Sequence, residues 1–511
     1  MNAHLLLTLP IAFPAAGIAL CALAWSRPDI QRIISLAAST GLLASAIMLI
    51  VAVHDGTVLA TQFGDWPAPF GITFVADMLA AAMVLITGIM AVAVGVYGLT
   101  GEAREREHAF YHVLYQGLLL GVTGAFLTGD IFNLYVWFEI MLISSFGMLA
   151  LGGTKEQLDA GVKYVTLNLI ATTFFLITVG FLYGMTGTLN MADLARVLPT
   201  LENQGLVTTL AVMFLMAFGS KAAVFPLFYW LPAAYHTASA PVVAIFAALL
   251  TKVGVYAIIR TFTLLFDGDA GYTGPIVAAI AIFTMVTGVL GAAAHFDIRR
   301  ILSFHIISQI GYMLFGIAVA TPLAVGGSIL YVIHHIVVKA NLFLIAGAID
   351  RAGGSFHLKK LGGLYASLPL LGVLFLIPAL SLAGLPPLSG FWSKFTVIKA
   401  SLDAGHIVLA AAGLIVGLLT LYSMLKIWNE AFWKAAPEGA AETIRDWQTD
   451  RRTRILMLTP IVSLAAITLA IGLFAEPFVD FSMRAGAQLL DKSAYIDAVF
   501  GRPRQLAEAN P

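Results

Sequence analysis

The sequence predicts an all-α polytopic membrane protein. Of its 511 residues, 60% are hydrophobic and 11% are charged, whereas charged residues make up about a quarter of an ordinary soluble domain. Apolar runs recur along most of the chain, and a helix of roughly 20 apolar residues is long enough to span the hydrocarbon core of a bilayer. The composition therefore excludes a soluble globular protein.

The apolar runs, and the turn or charged residues between them, predict about fourteen transmembrane helices. The predicted spans are residues 4–25, 31–53, 74–98, 110–128, 131–151, 161–185, 207–231, 241–263, 274–294, 300–320, 325–349, 369–400, 406–432 and 456–477. The loops between them contain no phosphate-binding GxxxxGK[ST] pattern. Any transport must therefore draw its energy from an ion gradient or from another subunit.

Spans 7 and 12 carry proline inside apolar sequence, and we predict that both are broken helices. They contain KAAVFPLFYWLP and ALSLAGLPPLSGFWSKF respectively. An interior proline removes one backbone hydrogen bond and clashes with the preceding turn of helix. Broken spans at corresponding positions of two halves are typical of inverted-repeat transporters. We therefore predict two inverted five-helix repeats, spans 4–8 and 9–13, each broken in its fourth helix.

This pattern divides the chain into four predicted segments. Residues 1–109 hold three N-terminal transmembrane helices, 110–263 the first five-helix repeat and 274–432 the second. Residues 433–511 form a cytoplasmic loop, the last transmembrane helix and a short tail.

The distribution of lysine and arginine predicts the orientation. Basic loops stay preferentially on the cytoplasmic side. With both termini placed outside, sixteen of the 28 basic residues lie in inside loops. The six assigned to the outside are Arg196, Arg260, Arg484, Lys492, Arg502 and Arg504. We therefore predict a multi-pass protein of the cell (inner or plasma) membrane with both termini outside.

Charge and cysteine content limit the partners and cofactors. The formal net charge is zero, so no basic field favours nucleic acid. A single cysteine, Cys21, excludes an internal disulfide or a thiolate-ligated Fe–S cluster within the chain. Adjacent His334 and His335 cannot both reach one ion from a regular helix, and no third ligand is evident. We predict neither a cofactor nor a metal site.

Six titratable residues within the predicted spans form the candidate site. They are Glu139, Lys221, Lys252, His335, Lys339 and Lys394. A charge at the bilayer centre costs about 2.5–3.5 kcal/mol on insertion scales, so such residues usually face a partner or a water-filled cavity. Glu139 lies about 12 Å into its span at 1.5 Å per residue, which is deep for a short side chain.

Glu139 alone could form a structural ion pair or a helix-packing hydrogen bond. The deep lysines Lys221 and Lys252 favour a proton carrier instead, because burial disfavours the charged form of lysine and a nearby carboxylate restores it. Glu139 is the predicted neighbour of Lys221. His335 and Lys339, four residues apart, share one helix face and predict a short proton relay.

Four other residues receive simpler interpretations. We predict that His334 is a hydrogen-bonded core histidine. Lys426 and Glu430 lie four residues apart and predict a local ion pair, with proton exit as the alternative. Lys399 is expected to extend to the outer surface.

At these residues the sequence resembles the antiporter-like subunits shared by respiratory complex I and Mrp-type multisubunit Na+/H+ antiporters. The stretches that carry the resemblance are YVWFEIML around Glu139, GSKAAVFPLFYWLPAAYHTASAPV with Lys221, ALLTKVGVYAIIR with Lys252, HHIVVKANLFLIAG with His335 and Lys339, and GLPPLSGFWSKF with Lys394. The family architecture implies fourteen helices, two inverted repeats and broken helices 7 and 12, as the residues also predict.

The resemblance also implies roles for the six residues. Glu139 and Lys221 match the carboxylate–lysine pair of the family. Lys252 and the pair His335/Lys339 match its central relay. Lys394 matches the terminal lysine at the exit.

Within the family, the sequence most resembles a D-type Mrp subunit. The middle complex I homologue usually carries glutamate in place of Lys394, and the tail 478–511 is expected to replace the long C-terminal extensions of other members. The segment Trp230–His236 reads WLPAAYH, without the acidic residue usual in complex I relatives, which argues against a proton-uptake role for that loop.

We therefore expect a transporter subunit, not an enzyme, that moves protons through a water-linked Glu/Lys/His relay in a Na+/H+ antiporter. Its expected partners are an A-like subunit, small hydrophobic subunits, the lipid bilayer, protons and Na+. A proton-pumping subunit of a complex I-type NADH:quinone oxidoreductase is the alternative. A self-sufficient solute carrier is a third hypothesis, which explains the serial lysines poorly.

Overall fold

The structure, a computed structural model, describes residues 2–100 and 110–501. The predicted segment boundary at 109 and four of the arginines used to predict the orientation, Arg104, Arg106, Arg502 and Arg504, lie outside the described residues.

Helices make up most of the described chain. They are α1 (Ala3–Leu23), α2 (Pro28–Val53), α3 (Met78–Gly98), α4 (Tyr111–Leu127), α5 (Ile131–Ala150), α6 (Lys155–Thr186), α7 (Met191–Val197), α8 (Gln204–Ala222), α9 (Trp230–Tyr235), α10 (Ala240–Ile245), α11 (Thr251–Leu264), α12 (Ala270–Ala294), α13 (Ile298–Met313), α14 (Phe315–Val319), α15 (Pro322–Gly353), α16 (Leu364–Ser367), α17 (Pro369–Ala383), α18 (Ser389–Asp403), α19 (Ile407–Ile427), α20 (Ala440–Thr449), α21 (Arg451–Leu473), α22 (Ala475–Leu490) and α23 (Ser493–Phe500). Two π-helical turns, Phe246–Leu250 and Trp428–Trp433, continue α10 and α19.

The predicted fold class is confirmed. Within residues 2–100 and 110–501, twelve helical segments are long and apolar enough to cross a membrane. Two further apolar helices, α4 and α17, have 17 and 15 residues. These fourteen elements follow the order of the predicted spans, so the chain is a multi-pass membrane protein. The inverted relation of the two repeats and the four segment boundaries stay predictions.

The beginning of the third predicted span is not helical. Strand β1 (Leu59–Gln62) pairs with β2 (Thr73–Ala76) in an antiparallel hairpin. Asp77 follows β2 and caps α3, because its carboxylate accepts the N–H of Ala80 at 2.9 Å. A short apolar run does not distinguish a buried strand from a helix, which is why the prediction began this span too early.

Both predicted helix breaks are present. The first follows α8, where Ala223 adopts a left-handed φ of 61° and the next helix begins at Trp230. The second follows α17, where Gly384 has a φ of 94° and α18 begins at Ser389. Pro226, Pro386 and Pro387 lie in the breaks, where a missing N–H removes no helical hydrogen bond.

The centre of the molecule is the long helix α15. In its most apolar stretch of 18 residues, 94% of the residues are buried inside the protein. The corresponding shares are 33% for α1 and 39% for α6, which lie at the periphery. Helix α15 packs against α10, α13, α17, α18, α21 and α22. In the continuous segment formed by α10, its π turn and α11, every residue of the most apolar stretch is buried. The titratable residues of α11 and α15 therefore lie in the most enclosed part of the fold.

Gly254 allows α11 to contact the end of α8 directly. A Cβ at position 254 would lie 2.5 Å from the nitrogen of Ala222 and 2.9 Å from the carbonyl carbon of Lys221. Real Cβ contacts are longer than this, so the two backbones could not keep their separation with any side chain at 254.

We expect Gly254→Ala to lower the melting temperature of the purified protein, because overpacking a close contact typically costs about 1–3 kcal/mol. Thermal unfolding in detergent measures the effect. Gly180→Ala in α6 is the matched control, since no described atom lies within 4 Å of a Cβ at that position. Equal melting temperatures for the two variants would contradict the close approach of α8 and α11.

Candidate functional site

The six candidate residues lie on five helices. Five of them are buried, with exposed fractions of 5% for Lys221, 0% for Lys252, His335 and Lys339, and 6% for Lys394. Glu139 in α5 is half-buried.

Lys221 lies in the last turn of α8, next to the first break. Its amine donates to the carbonyl oxygen of Asn168 in α6 at 3.3 Å. The amine also lies 5.8 Å from the centre of the Phe138 ring. The unpaired carbonyls of a helix C-terminus carry partial negative charge, which favours a cation at this position.

The structure brings Glu139 near Lys221 without direct contact. The two side chains attract each other electrostatically, and Glu139 directly follows Phe138, whose ring lies near the amine. Among the described residues, the Oε1 atom of Glu139 is buried and has no hydrogen-bond partner. The carboxylate can therefore act on the charge of Lys221 and still accept another donor.

Lys252 lies just after the π turn Phe246–Leu250. Its amine donates to the carbonyl oxygen of Ala247, inside this turn, at 2.5 Å. A π turn departs from the regular i→i−4 hydrogen-bond pattern, and such turns occur frequently at functional sites. Hydrophobic periodicity does not detect a single π turn, so the sequence did not predict this partner.

His335 and Lys339 occupy the same stretch of α15. The amine of Lys339 donates to the carbonyl oxygen of Leu302 in α13 at 3.1 Å. Within the described part of the chain, both ring nitrogens of His335 are buried and have no hydrogen-bond partner. The charges of Lys252 and Lys339 act on this ring. His335 therefore lies close enough to a lysine of α11 and a lysine of α15 for both charges to act on it, and its ring nitrogens have no described partner.

A second histidine, His305 in α13, was missed by the sequence analysis. It is 0% exposed, and neither ring nitrogen has a hydrogen-bond partner among the residues that the structure describes. His305 interacts electrostatically with Lys339 and with Lys394. It lies three residues after Leu302, which accepts from Lys339. The available signal was a lone histidine in an apolar span, without a neighbour at helical spacing to suggest a role.

Lys394 in α18 reaches back across the second break. Its amine donates to the carbonyl oxygen of Ala383, the last residue of α17, at 3.1 Å. It also lies 4.8 Å from the centre of the Tyr312 ring. A cavity of about 520 Å³ opens beside it, lined in part by Gly384 and Gly417. Of the four lysines, Lys394 is the one that borders this cavity.

We call six buried residues the row: Lys221, Lys252, His305, His335, Lys339 and Lys394. His334 has a hydrogen-bond partner outside the row. Its Nδ1 atom lies 2.8 Å from the hydroxyl of Ser389, which is 2.9 Å from the hydroxyl of Ser381. This contact joins α15 to the helices on both sides of the second break. Within residues 2–100 and 110–501, no three His, Cys, Asp or Glu side chains converge as metal ligands would.

The predicted ion pair between Lys426 and Glu430 is wrong. Lys426 donates instead to three carbonyl oxygens at the end of α12, those of Ala292, Ala293 and His295, at 3.3, 2.7 and 2.7 Å. Glu430 pairs with Lys434 at 3.2 Å. The last carbonyls of a helix lack intrahelical partners and favour a cationic donor. Lys426 therefore binds the carbonyls at the end of α12 and not Glu430.

The assignment of Arg260 to an outside segment is also wrong. Arg260 lies within α11, is 3% exposed and forms an ion pair with Asp77. Lys399, by contrast, is exposed as expected and pairs with Asp403. Counting charges along the sequence cannot show that an arginine near a span end has a buried partner 183 residues away.

Residues 128–420 match the family described as NADH:quinone oxidoreductase/Mrp antiporter, TM. The matched region is more than half of the chain and contains both breaks and all six candidate residues. The chain belongs to this family. Among curated members, it is 45% identical to the D-type Na(+)/H(+) antiporter subunit of Alkalihalophilus pseudofirmus, over 97% of this chain and 99% of the relative. The D-type Na(+)/H(+) antiporter subunit of Bacillus subtilis is 40% identical over 96% and 98% of the two chains.

Solved structures place the fold in the same family. A chain of the Mrp complex from Dietzia sp. DQ12-45-1b superposes with a TM-score of 0.88 at 35% identity, covering 98% of this chain and 100% of that one. A chain of the membrane-bound sulfane sulfur reductase, an archaeal respiratory membrane complex, superposes with a TM-score of 0.85 at 27% identity, covering 97% and 99%. The family fold therefore extends over almost the whole chain.

We expect Lys426→Met to lower the melting temperature, because it leaves the carbonyls at the end of α12 without their donor. A hydrogen bond to a charged group contributes about 1.5–3 kcal/mol. Lys399→Met is the matched control, since an exposed pair contributes about 0–1 kcal/mol. If the two substitutions shifted thermal unfolding equally, Lys426 would not be the cap of α12.

Proposed function

We propose that this chain is the D-type, proton-translocating subunit of a multisubunit Na+/H+ antiporter. One observation carries the proposal: the helices α8, α11, α13, α15 and α18 place four lysines and two histidines of the row in the buried interior of the fold. The identity of 45% with a D-type antiporter subunit over 97% of the chain supports the same conclusion. The chain is accordingly a transporter subunit whose partners are other antiporter subunits.

The contacts of the four lysines support reversible protonation. Each amine donates to a main-chain carbonyl, and the four acceptors are Asn168, Ala247, Leu302 and Ala383. A carbonyl accepts an N–H from a charged or a neutral amine, so a lysine here can lose a proton and keep its hydrogen bond. A lysine in direct contact with a buried carboxylate would instead be held in its charged form.

Repulsion between neighbouring charges would limit how many protons the row holds at one time. A proton on Lys252 disfavours a second positive charge on His335, and a proton on Lys339 disfavours one on His305. We assign Lys252, His335 and Lys339 to the central relay, joined to Lys394 through His305. Water between the free ring nitrogens would carry the proton from one side chain to the next.

The two ends of the row have different environments, which suggests different roles. Glu139 is the negative charge near Lys221, and we assign it the task of controlling when Lys221 holds a proton. Lys394 borders a cavity and the second break, and we assign it proton exchange at the other end. We further propose that protons move inward through this chain, while partner subunits help to export Na+, with both termini outside the cell.

A second candidate function is the proton-pumping membrane subunit of a complex I-type oxidoreductase. The likeness to a chain of an archaeal respiratory membrane complex favours it. That likeness is at 27% identity, below the 35% for the Mrp complex chain and the 45% for the D-type antiporter subunit. The antiporter is therefore our first proposal.

We expect Glu139→Gln and Lys221→Ala each to reduce Na+-dependent proton movement in membrane vesicles to the level of vesicles without the complex. The first removes the charge that acts on Lys221, and the second removes a carrier from the row. Glu156→Gln and Lys163→Ala change exposed residues of α6 and should retain full activity. Wild-type activity in both site variants would rule out this relay.

The tagged chain, solubilised gently from its native membrane, should co-purify with small hydrophobic antiporter subunits and without flavin or iron. Mass spectrometry and absorbance spectra identify these components. Redox subunits with NADH oxidation activity would establish the complex I alternative. A chain that purified alone, with uptake activity of its own, would support a solute carrier.

A further inference from the structure

The buried ion pair of Asp77 and Arg260 lies outside the lysine–histidine row. Arg260 donates through Nη1 to Oδ2 of Asp77 at 2.5 Å and through Nη2 to Oδ1 at 2.8 Å. The side chains of Arg260 and Asp77 are 4% and 3% exposed. Desolvation of a buried ion pair often cancels its attraction, so such a pair is weak evidence for a purely stabilising role.

Arg260 shares a helix face with Lys252. Residues 252, 256 and 260 are four apart, which places them on one side of α11, about 6 Å apart along its axis. The Nη2 group of Arg260 also lies 3.3 Å from the Tyr256 hydroxyl, which donates to the carbonyl oxygen of Phe126 at 2.7 Å. Tyr256 and Arg260 therefore follow Lys252 along one face of α11 toward its end, where exposed residues begin at Asp267. The Lys252 amine is hydrogen-bonded to Ala247, so a proton would have to cross from Lys252 to this polar pair through water.

The C-terminal helices cover this end of α11. The ring of Tyr495 in α23 lies 5.4 Å from the guanidinium of Arg260, as does the ring of Tyr256. Gln488 in α22 accepts the N–H of Met78, next to Asp77, at 3.0 Å. Lys492, between the two helices, pairs with Asp267 at 2.6 Å. One layer of chain, residues 488–495, thus separates the ion pair from the surface.

We propose that the Asp77–Arg260 pair is a gate on a proton path between Lys252 and this membrane surface, held closed by Tyr495. The proposal rests on the proposed function, because the proton that passes the gate comes from the row. The positive charge of Arg260 repels Na+ and hydrated protons from the path, as an arginine does in a selective pore. Asp77 is the group that can accept the proton.

The step is a simple proton transfer. A proton leaves the ammonium of Lys252 through water and binds one carboxylate oxygen of Asp77. The neutral carboxyl no longer attracts Arg260, so the guanidinium separates from it and the path opens. The proton then passes to water at the surface, and the restored carboxylate binds Arg260 again. At the end of the step Asp77 is a carboxylate again, and Lys252 is a neutral amine until the row supplies its next proton.

The test measures proton leak through the whole complex in proteoliposomes. The double variant Asp77→Asn with Arg260→Gln removes both charges and leaves no unpaired ion. Water can then fill the space that the ion pair occupied and carry the proton in place of the carboxylate. We therefore expect an imposed pH gradient to collapse several-fold faster than in wild type, in the absence of Na+, with the complex still intact by size-exclusion chromatography. Adding Lys252→Met should restore the slow collapse, because the leak runs through Lys252.

Tyr495→Ala tests the cover without changing the ion pair. It should also give a Na+-independent leak that Lys252→Met abolishes. Tyr272→Ala changes a tyrosine that is 57% exposed and should leave the leak at the wild-type rate. If the double variant does not assemble, Tyr495→Ala decides the question on its own.

Two results would overturn the gate: wild-type proton permeability in the assembled variants, or a leak that persists with Lys252→Met. A different result would reject the proposed function. If Lys252→Met alone kept full Na+-dependent proton movement, the row would not carry protons. Loss of antiport in Lys252→Met without a leak in the gate variants would reject the gate and leave the relay intact.

Discussion

The main constraint on this protein is that every amine buried in the bilayer must find an acceptor. Water is scarce there, and a regular helix already uses its own carbonyl groups. The fold meets this need partly with irregular backbone. The π turn before α11 supplies Ala247 to Lys252, and the break after α17 supplies Ala383 to Lys394. The helices α6 and α13 are unbroken at the acceptors of Lys221 and Lys339. There, one carbonyl oxygen of each helix accepts the lysine N–H through its second lone pair.

This arrangement also explains why the acidic residues lie beside the row and not within it. A carboxylate in contact with each lysine would hold its charge permanently. Glu139 acts on Lys221 without direct contact, and Asp77 binds Arg260, which keeps its charge at any physiological pH. Neither carboxylate therefore holds a lysine of the row in its charged form.

The fold was largely predictable because most of its elements depend on short stretches of the sequence. Composition predicted the membrane, and prolines within apolar runs predicted both breaks. Helical spacing predicted that His335 and Lys339 share one helix, and both lie in α15. The hairpin before α3 was missed because a short apolar run fits either a strand or a helix.

The rest of the site depends on contacts between distant parts of the chain. Lys426 finds its carbonyls in α12, and Arg260 finds Asp77 far away in sequence. The lysines whose charges act on His305 lie on three other helices, α15, α18 and α19. Periodicity describes one helix at a time, so none of these partners could be read from it. The π turn before Lys252 leaves no trace in hydrophobic spacing either.

The contact at Gly254 has a mechanical consequence. Because the backbone of α11 lies so close to the backbone of α8 at Ala222, the two helices have no room to move nearer to each other at this point. Lys221 is next to this contact and Lys252 is two residues from Gly254. A movement of the first break toward α11 would therefore push directly on the part of α11 that carries Lys252.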